Sequence, residues 1–153
     1  MQVKELGHLV LYVRDIDRSA AFYGDVLGWK RIEMPDGGPL RRMPVAAFTS
    51  GRTHHELLLI EVGEDAQPPP SGRHLGLYHF GLKVGDSDDE LRAVLRQIQD
   101  AGVHVVGMSD HTVSHSLYIL DPDGNEIELY IDVPGVDWQD GLAVMAPVKP
   151  LAL

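Results

Sequence analysis

Hydrophobic and polar residues along this chain alternate with a period of two in several short stretches and follow a helical period in two longer ones. From about residue 5 to 13, Leu9, Leu11 and Val13 fall on one face and His8, Val10 and Tyr12 on the other, which predicts a strand. A helix follows at about 17–27, opened by Asp15 or Asp17 as cap and closed by Gly28. Its Ala20, Ala21, Tyr23 and Leu27 form the buried stripe. Strands are predicted near 29–34, 43–49 and 54–62, with a loop at Pro35-Asp36-Gly37-Gly38-Pro39. After Gly63 to Gly76 the same order returns. A strand lies near 77–84, and a helix at about 87–101 is capped by Asp86 or Ser87. Leu91, Val94, Leu95 and Ile98 of that helix recur at helical spacing, and strands follow near 103–108, 114–120 and 125–132. Asp121-Pro122-Asp123-Gly124-Asn125 suits a hairpin turn between the last two.

The return is a repeat. His8-Leu9-Val10-Leu11-Tyr12-Val13-Arg14-Asp15 aligns with His79-Phe80-Gly81-Leu82-Lys83-Val84-Gly85-Asp86 at a constant offset of 71. It matches His8 with His79, Leu11 with Leu82, Val13 with Val84 and Asp15 with Asp86. The predicted fold is α+β: two βαβββ units, about 5–62 and 77–132, forming a curved, partly closed mixed sheet around a metal cavity. The whole chain, 1–153, is expected to be one domain with a linker at 63–76 and a tail at 133–153. The tail, with Trp138 and Pro147, has no clear period and is expected to pack along the surface or against a second subunit.

Composition narrows the chemistry. A chain of 153 residues with 44% apolar content is ordinary for a globular protein with a real core. The formal net charge of −10 argues against nucleic acid and against an anionic membrane. No apolar run is long enough to span a bilayer and no secretory signal is evident, so the expected location is the cytoplasm. There are no cysteines, so a metal must be held by imidazole and carboxylate.

Face by face, the repeat points to a metal. His8 lies opposite the aliphatic side of the first strand. His79 shares its face with Gly81 and Lys83, and Glu126, Glu128 and Tyr130 leave the face on which Ile127, Leu129 and Ile131 pack. Two imidazoles and one carboxylate, His8, His79 and Glu128, leave three positions open, the facial pattern of non-haem iron(II) sites. Zinc or nickel with a fourth protein ligand fits the same residues. A single strand histidine is more often a surface residue, and Glu128 taken singly is an ordinary exposed charge. The shared repeat position of His8 and His79 is what raises the pair above that reading.

The motifs Gly7-His8-Leu9-Val10-Leu11-Tyr12-Val13, Asp17-Arg18-Ser19, Phe22-Tyr23-Gly24-Asp25-Val26-Leu27-Gly28-Trp29 and Asp121-Pro122-Asp123-Gly124-Asn125-Glu126-Ile127-Glu128-Leu129-Tyr130 resemble the vicinal oxygen chelate superfamily, to about Val133. Within it, Thr53-His54-His55-Glu56-Leu57, Asp110-His111-Thr112 and Ser116-Leu117-Tyr118 resemble the type I extradiol dioxygenases. That resemblance maps the metal ligands onto His8, His79 and Glu128. It implies His55 as an acid–base residue, His111 as a further active-site histidine and Tyr118 as a substrate-binding residue. The implied cofactor is iron(II), with manganese, zinc or nickel as alternatives. The implied reaction is cleavage of a small aromatic diol by dioxygen, in aromatic hydrocarbon catabolism, with the ring lined near Val10, Tyr12 and Phe48. Larger dioxygenases of the family carry a second pair of units, and this chain has one pair, which implies a homodimer.

Two other readings compete. In a glyoxalase-like isomerase or lyase, Glu56 would be a fourth ligand to zinc or nickel, and whether His55 or Glu56 faces the metal discriminates the two. A metal-free, drug-binding module would need none of the three ligands. The remaining histidines carry less: His54 reads as exposed, His74 sits in the linker, His104 has no matching motif, and His115 ranks below His111.

Overall fold

The computed structural model describes residues 1–33, 44–139 and 141–153. Two compact units divide the chain, Met1–Pro69 and Pro70–Leu153, and the division falls inside the linker predicted between the repeats. Among the described residues no helix is long and apolar enough to cross a membrane.

The first unit runs β1 (Leu9–Val13), α1 (Ile16–Ala21), β2 (Lys30–Arg31), β3 (Val45–Thr49) and β4 (Leu57–Glu61). Its four strands form one sheet in the order β1-β4-β3-β2, with β1 and β4 parallel and the other neighbours antiparallel. Leu11 and Val13 are buried while Val10 and Tyr12 are exposed, as the alternation requires. Asp15 takes the capping role, accepting from the Arg18 amide at 2.8 Å. Glu61, at the end of β4, accepts from the Ile16 amide at 2.9 Å and holds the helix start to the sheet. The helix then widens into a π-helical turn over Phe22–Val26 and ends at Gly28 with φ 75°. In that turn the adjacent Phe22 and Tyr23 both go inward, edge-on with ring centroids 5.2 Å apart. Ala21, predicted in the buried stripe, is exposed instead. The loop predicted at Pro35–Pro39 lies outside the described residues.

The second unit runs β5 (His79–Gly85), α2 (Asp88–Asp100), β6 (Val105–Asp110), β7 (Ser114–Leu120), β8 (Glu126–Asp132), α3 (Gly141–Val144) and β9 (Lys149–Pro150). The sheet order is β5-β8-β7-β6-β9, with β5 and β8 parallel. Ser87 caps α2, and Glu90 closes a capping box, accepting from the Asp86 amide at 2.7 Å and from Ser87 Oγ at 2.9 Å. Leu91 and Ile98 are fully buried on one stripe of α2, which packs on β5 and β8, and Leu117, Ile119, Ile127, Leu129 and Ile131 of the sheet are buried as well, all at most 1% exposed. Burying each such side chain is worth about 1.5–3 kcal/mol, which makes this aliphatic layer the anchor of the unit.

The α+β architecture of two βαβββ units therefore holds. The strands hydrogen-bond as two mixed sheets, of four and five strands, and neither closes into a barrel. One difference concerns the tail. Its last residues form β9, an antiparallel partner of β6 (Ser109 opposite Pro150, Asp110 opposite Lys149), so the segment without periodicity completes a sheet.

Candidate metal and substrate site

In the second unit, β8 alternates strictly. Ile127, Leu129 and Ile131 go under α2, which forces Glu126, Glu128 and Tyr130 onto the opposite face. β5 lies alongside, with His79 opposite Glu126 and Gly81 opposite Glu128. The His79 ring stands between the two carboxylates. Its Nε2 is 3.4 Å from Glu128 Oε2, and its Nδ1 is 3.4 Å from Glu126 Oε1. A Cβ on Gly81 would meet Tyr130 Cε1 at 3.2 Å and Glu128 Oε2 at 3.5 Å, so the bare glycine leaves room for the carboxylate.

On β7, Tyr118 is opposite Glu128. Its hydroxyl donates to Glu128 Oε1 at 3.1 Å. With that proton committed, the oxygen accepts from His111 Nε2 at 2.8 Å, which assigns the proton of His111 to Nε2. His111 reaches inward from the β6–β7 hairpin, where its amide bonds the Ser114 carbonyl at 2.9 Å. The next residue, Thr112, takes φ 72°, and its amide donates to Asp110 Oδ1 at 2.6 Å. His79 and Tyr118 meet edge-on with centroids 5.7 Å apart. Burial, with the Glu128 charge beside it, pushes the Tyr118 hydroxyl up to about 12, so the phenol stays protonated at neutral pH. His115 leaves from the other face of β7 and pairs with Asp88 at the start of α2, 2.6 Å away, apart from this group.

In the first unit, His8 and His55 are ring neighbours with centroids 4.8 Å apart. His54 and His55 share one proton between their Nδ1 atoms at 2.6 Å. Burial and the neighbouring His54 and His8 lower the His55 pKa, favouring the neutral ring. Both histidines precede β4 rather than lying within it, so the strand predicted at 54–62 is shorter. Glu56 turns elsewhere. Its carboxylate accepts from the Ser50 amide at 2.8 Å, from Ser50 Oγ at 2.7 Å and from Arg52 Nε at 2.9 Å. These bonds overcome the cost of burial and hold its pKa down to about 2. Arg52 also reaches Glu5 and the carbonyls of Leu6 and Gly7, tying the chain before β1 to this turn.

Several predictions need adjusting. Phe48, placed near the ring pocket, is fully buried and packs at 6.4 Å from Tyr23 in the core. His54 and His74 are exposed as read, and His104 is exposed too. The contact of Glu126 with His79 was not assigned from sequence, although the register opposite His79 and the two-residue spacing from Glu128 carried the signal. Nor did sequence reading find Arg52 as the partner that occupies Glu56.

Within each unit, no three His, Asp or Glu side chains of the described residues already converge as a metal cage. The second unit offers a pair, and its chemistry fits a cation. In the His79 tautomer with a bare Nε2, that nitrogen and a Glu128 carboxylate oxygen, 3.4 Å apart, are both acceptors. They are reconciled by a shared proton or a bound cation.

The model of the Glyoxalase/Bleomycin resistance protein/Dioxygenase superfamily matches residues 5–129. The chain belongs to this superfamily. It is 35% identical over 134 residues to the catechol-2,3-dioxygenase of Bacillus subtilis (strain 168), covering 88% of this chain and 44% of that protein. It is 35% identical over 127 residues to the biphenyl-2,3-diol 1,2-dioxygenase of Metapseudomonas furukawaii, covering 80% of this chain and 39% of the relative. The chain thus spans less than half the length of these relatives. Among solved structures, a glyoxalase/dioxygenase from Nostoc punctiforme superposes with a TM-score of 0.68 at 24% identity, covering 84% of this chain and 91% of that one.

Proposed function

We propose that this protein is an extradiol dioxygenase that opens the ring of a catechol-type substrate with dioxygen. The observation that carries the reading is the Tyr118 hydroxyl held between His111 and Glu128. A carboxylate fit to ligate a metal thereby sits beside two groups fit to bind a phenolic oxygen. The dioxygenase relatives support the same reaction class. Occupation of Glu56 by Ser50 and Arg52 weighs against the glyoxalase-like alternative, because a carboxylate so held is a poor fourth ligand.

His8, His79 and Glu128 would hold the metal, with iron(II) favoured by a two-imidazole, one-carboxylate set. Bound there, iron(II) supplies the electronic path between diol and dioxygen. The protein's own residues do the rest. Tyr118, protonated because its pKa is about 12, turns its hydroxyl from Glu128 to an arriving substrate oxygen. His111, with its proton on Nε2, steadies the same oxygen. His55, neutral beside His8 and His54, takes a proton from the catechol and returns it as the ring opens. Both oxygen atoms of dioxygen enter the product, a muconic semialdehyde-type acid. A cytoplasmic homodimer completes the proposal.

The test is anaerobic reconstitution with iron(II), followed by catechol and air. A yellow product and oxygen uptake are expected, and both vanish in His79→Ala. Tight zinc binding with no turnover across a panel of catechols overturns the reading.

A further inference from the structure

We propose that Glu126 is a positioning residue for His79: it accepts the Nδ1 proton and so presents Nε2 to the metal. This inference rests on the proposed role of His79 as a ligand.

The argument starts from the imidazole's two nitrogens. A neutral ring carries one proton, and a ligating nitrogen must be the bare one. His79 Nε2 looks toward Glu128 at 3.4 Å, and Nδ1 looks toward Glu126 at 3.4 Å. Nδ1 is buried from solvent and has no hydrogen-bond partner within ordinary range. A buried N–H without an acceptor is costly, so a proton on Nδ1 demands one. Glu126 lies in register directly opposite His79, with its Oε1 3.4 Å from that nitrogen. A small turn of either side chain shortens 3.4 Å to hydrogen-bonding distance. The proton then sits on Nδ1, and the Nε2 lone pair points where Glu128 also points.

The repeat offers an internal contrast. Leu9 pairs with Leu57 in the first unit, and its counterpart Phe80 pairs with Ile127 in the second. Glu56 is therefore the counterpart of Glu126, and Leu58 the counterpart of Glu128. Glu56 turns away to Ser50 and Arg52, whereas Glu126 remains on its histidine. The orientation of Glu126 is a property of the second unit rather than of the repeat. A carboxylate on the far nitrogen of a metal-bound imidazole fixes its tautomer and orientation and raises its basicity, and its loss typically costs 10- to 100-fold in metal affinity.

The experiment titrates the metal-free full chain with zinc in a competition assay and reads the His79 tautomer by long-range proton–nitrogen NMR. Glu126→Ala is expected to weaken zinc binding by roughly 10- to 100-fold and to shift the free His79 ring toward the Nε2-protonated tautomer. Glu126→Gln is isosteric, keeps an acceptor oxygen and should fall between Glu126→Ala and the natural chain. It carries the test if the alanine variant misfolds. His79→Ala and Glu128→Ala are run beside them. If these two weaken binding while the Glu126 variants stay within about twofold with an unchanged tautomer, the positioning role is overturned and the ligand set stands. If His79→Ala binds zinc like the natural chain, the metal reading itself falls and takes this inference with it.

Discussion

Replacing Glu56 by Gln separates the two enzyme readings more sharply than any change at the shared ligands. In the folded chain the Glu56 carboxyl is depressed from 4.5 to about 2, because its bonds from Ser50 and Arg52 outweigh burial. A shift of that size is at most about 3.4 kcal/mol of stabilisation at neutral pH, at 1.36 kcal/mol per unit. The Arg52 side chain is 43% exposed, so solvent screening brings the usable part to roughly 1–2 kcal/mol. The sign follows from the depressed value. The stabilisation is fully present above about 4.5 and drains away as the pH falls toward about 2. Urea unfolding at pH 7 should show Glu56→Gln less stable by roughly 1–2 kcal/mol, a drop in midpoint of several degrees on heating. Near pH 2.5 the two proteins should converge. Zinc or iron(II) affinity at pH 7 should stay within about threefold of the natural chain, since the carboxylate is spent on the turn. A variant with unchanged stability but metal binding weakened tenfold or more would refute this and make Glu56 a ligand.

Tyr118→Phe should lower turnover while leaving metal affinity nearly unchanged, and cost about 0.5–1.5 kcal/mol for the lost bond to Glu128. Because the Tyr118 pKa is raised to about 12, the natural chain should lose stability as pH rises from 10 to 12, and alkaline unfolding should show that slope flattened in the Phe variant. Gly81→Ala would push a methyl against Tyr130 and Glu128; zinc titration should show weakened binding with little change in Tm. Gly85→Ala would place its Cβ 2.8 Å from Glu90 Cβ and break the box that caps α2, so chemical denaturation should show a loss of about 1–3 kcal/mol.

Much of the fold was legible because two periodicities repeat in register. Leu9, Leu11 and Val13 announced β1 by alternation, and Leu91 and Ile98 announced the buried stripe of α2. The π-helical turn was not legible. It depends on how Phe22 and Tyr23 both find room inside, a packing outcome without a local sequence period. β9 was missed for a related reason: two residues have no pattern, and pairing with β6 decides their state. At the site, alternation placed Glu126, Glu128 and Tyr130 on one face, and the motifs singled out Tyr118 and His111. The direction of Glu56 was open, because Leu57 and Leu59 give an apolar face in one register and Leu58 and Ile60 in the other. It is decided by Arg52, four residues away, and by Ser50 across the turn.

The short strand at the end of the tail has a bearing on how the protein avoids sticking to itself. Without β9, the Ser109–Asp110 end of β6 would offer unpaired amides and carbonyls next to the partly exposed Val106 and Met108, an invitation to strand-by-strand growth. β9 takes up that end and closes it with Lys149 and Pro150, one residue that carries charge and one that lacks an amide hydrogen. β9 thus works as an edge guard, and removing Lys149 and Pro150 would leave that end of β6 unpaired and adhesive.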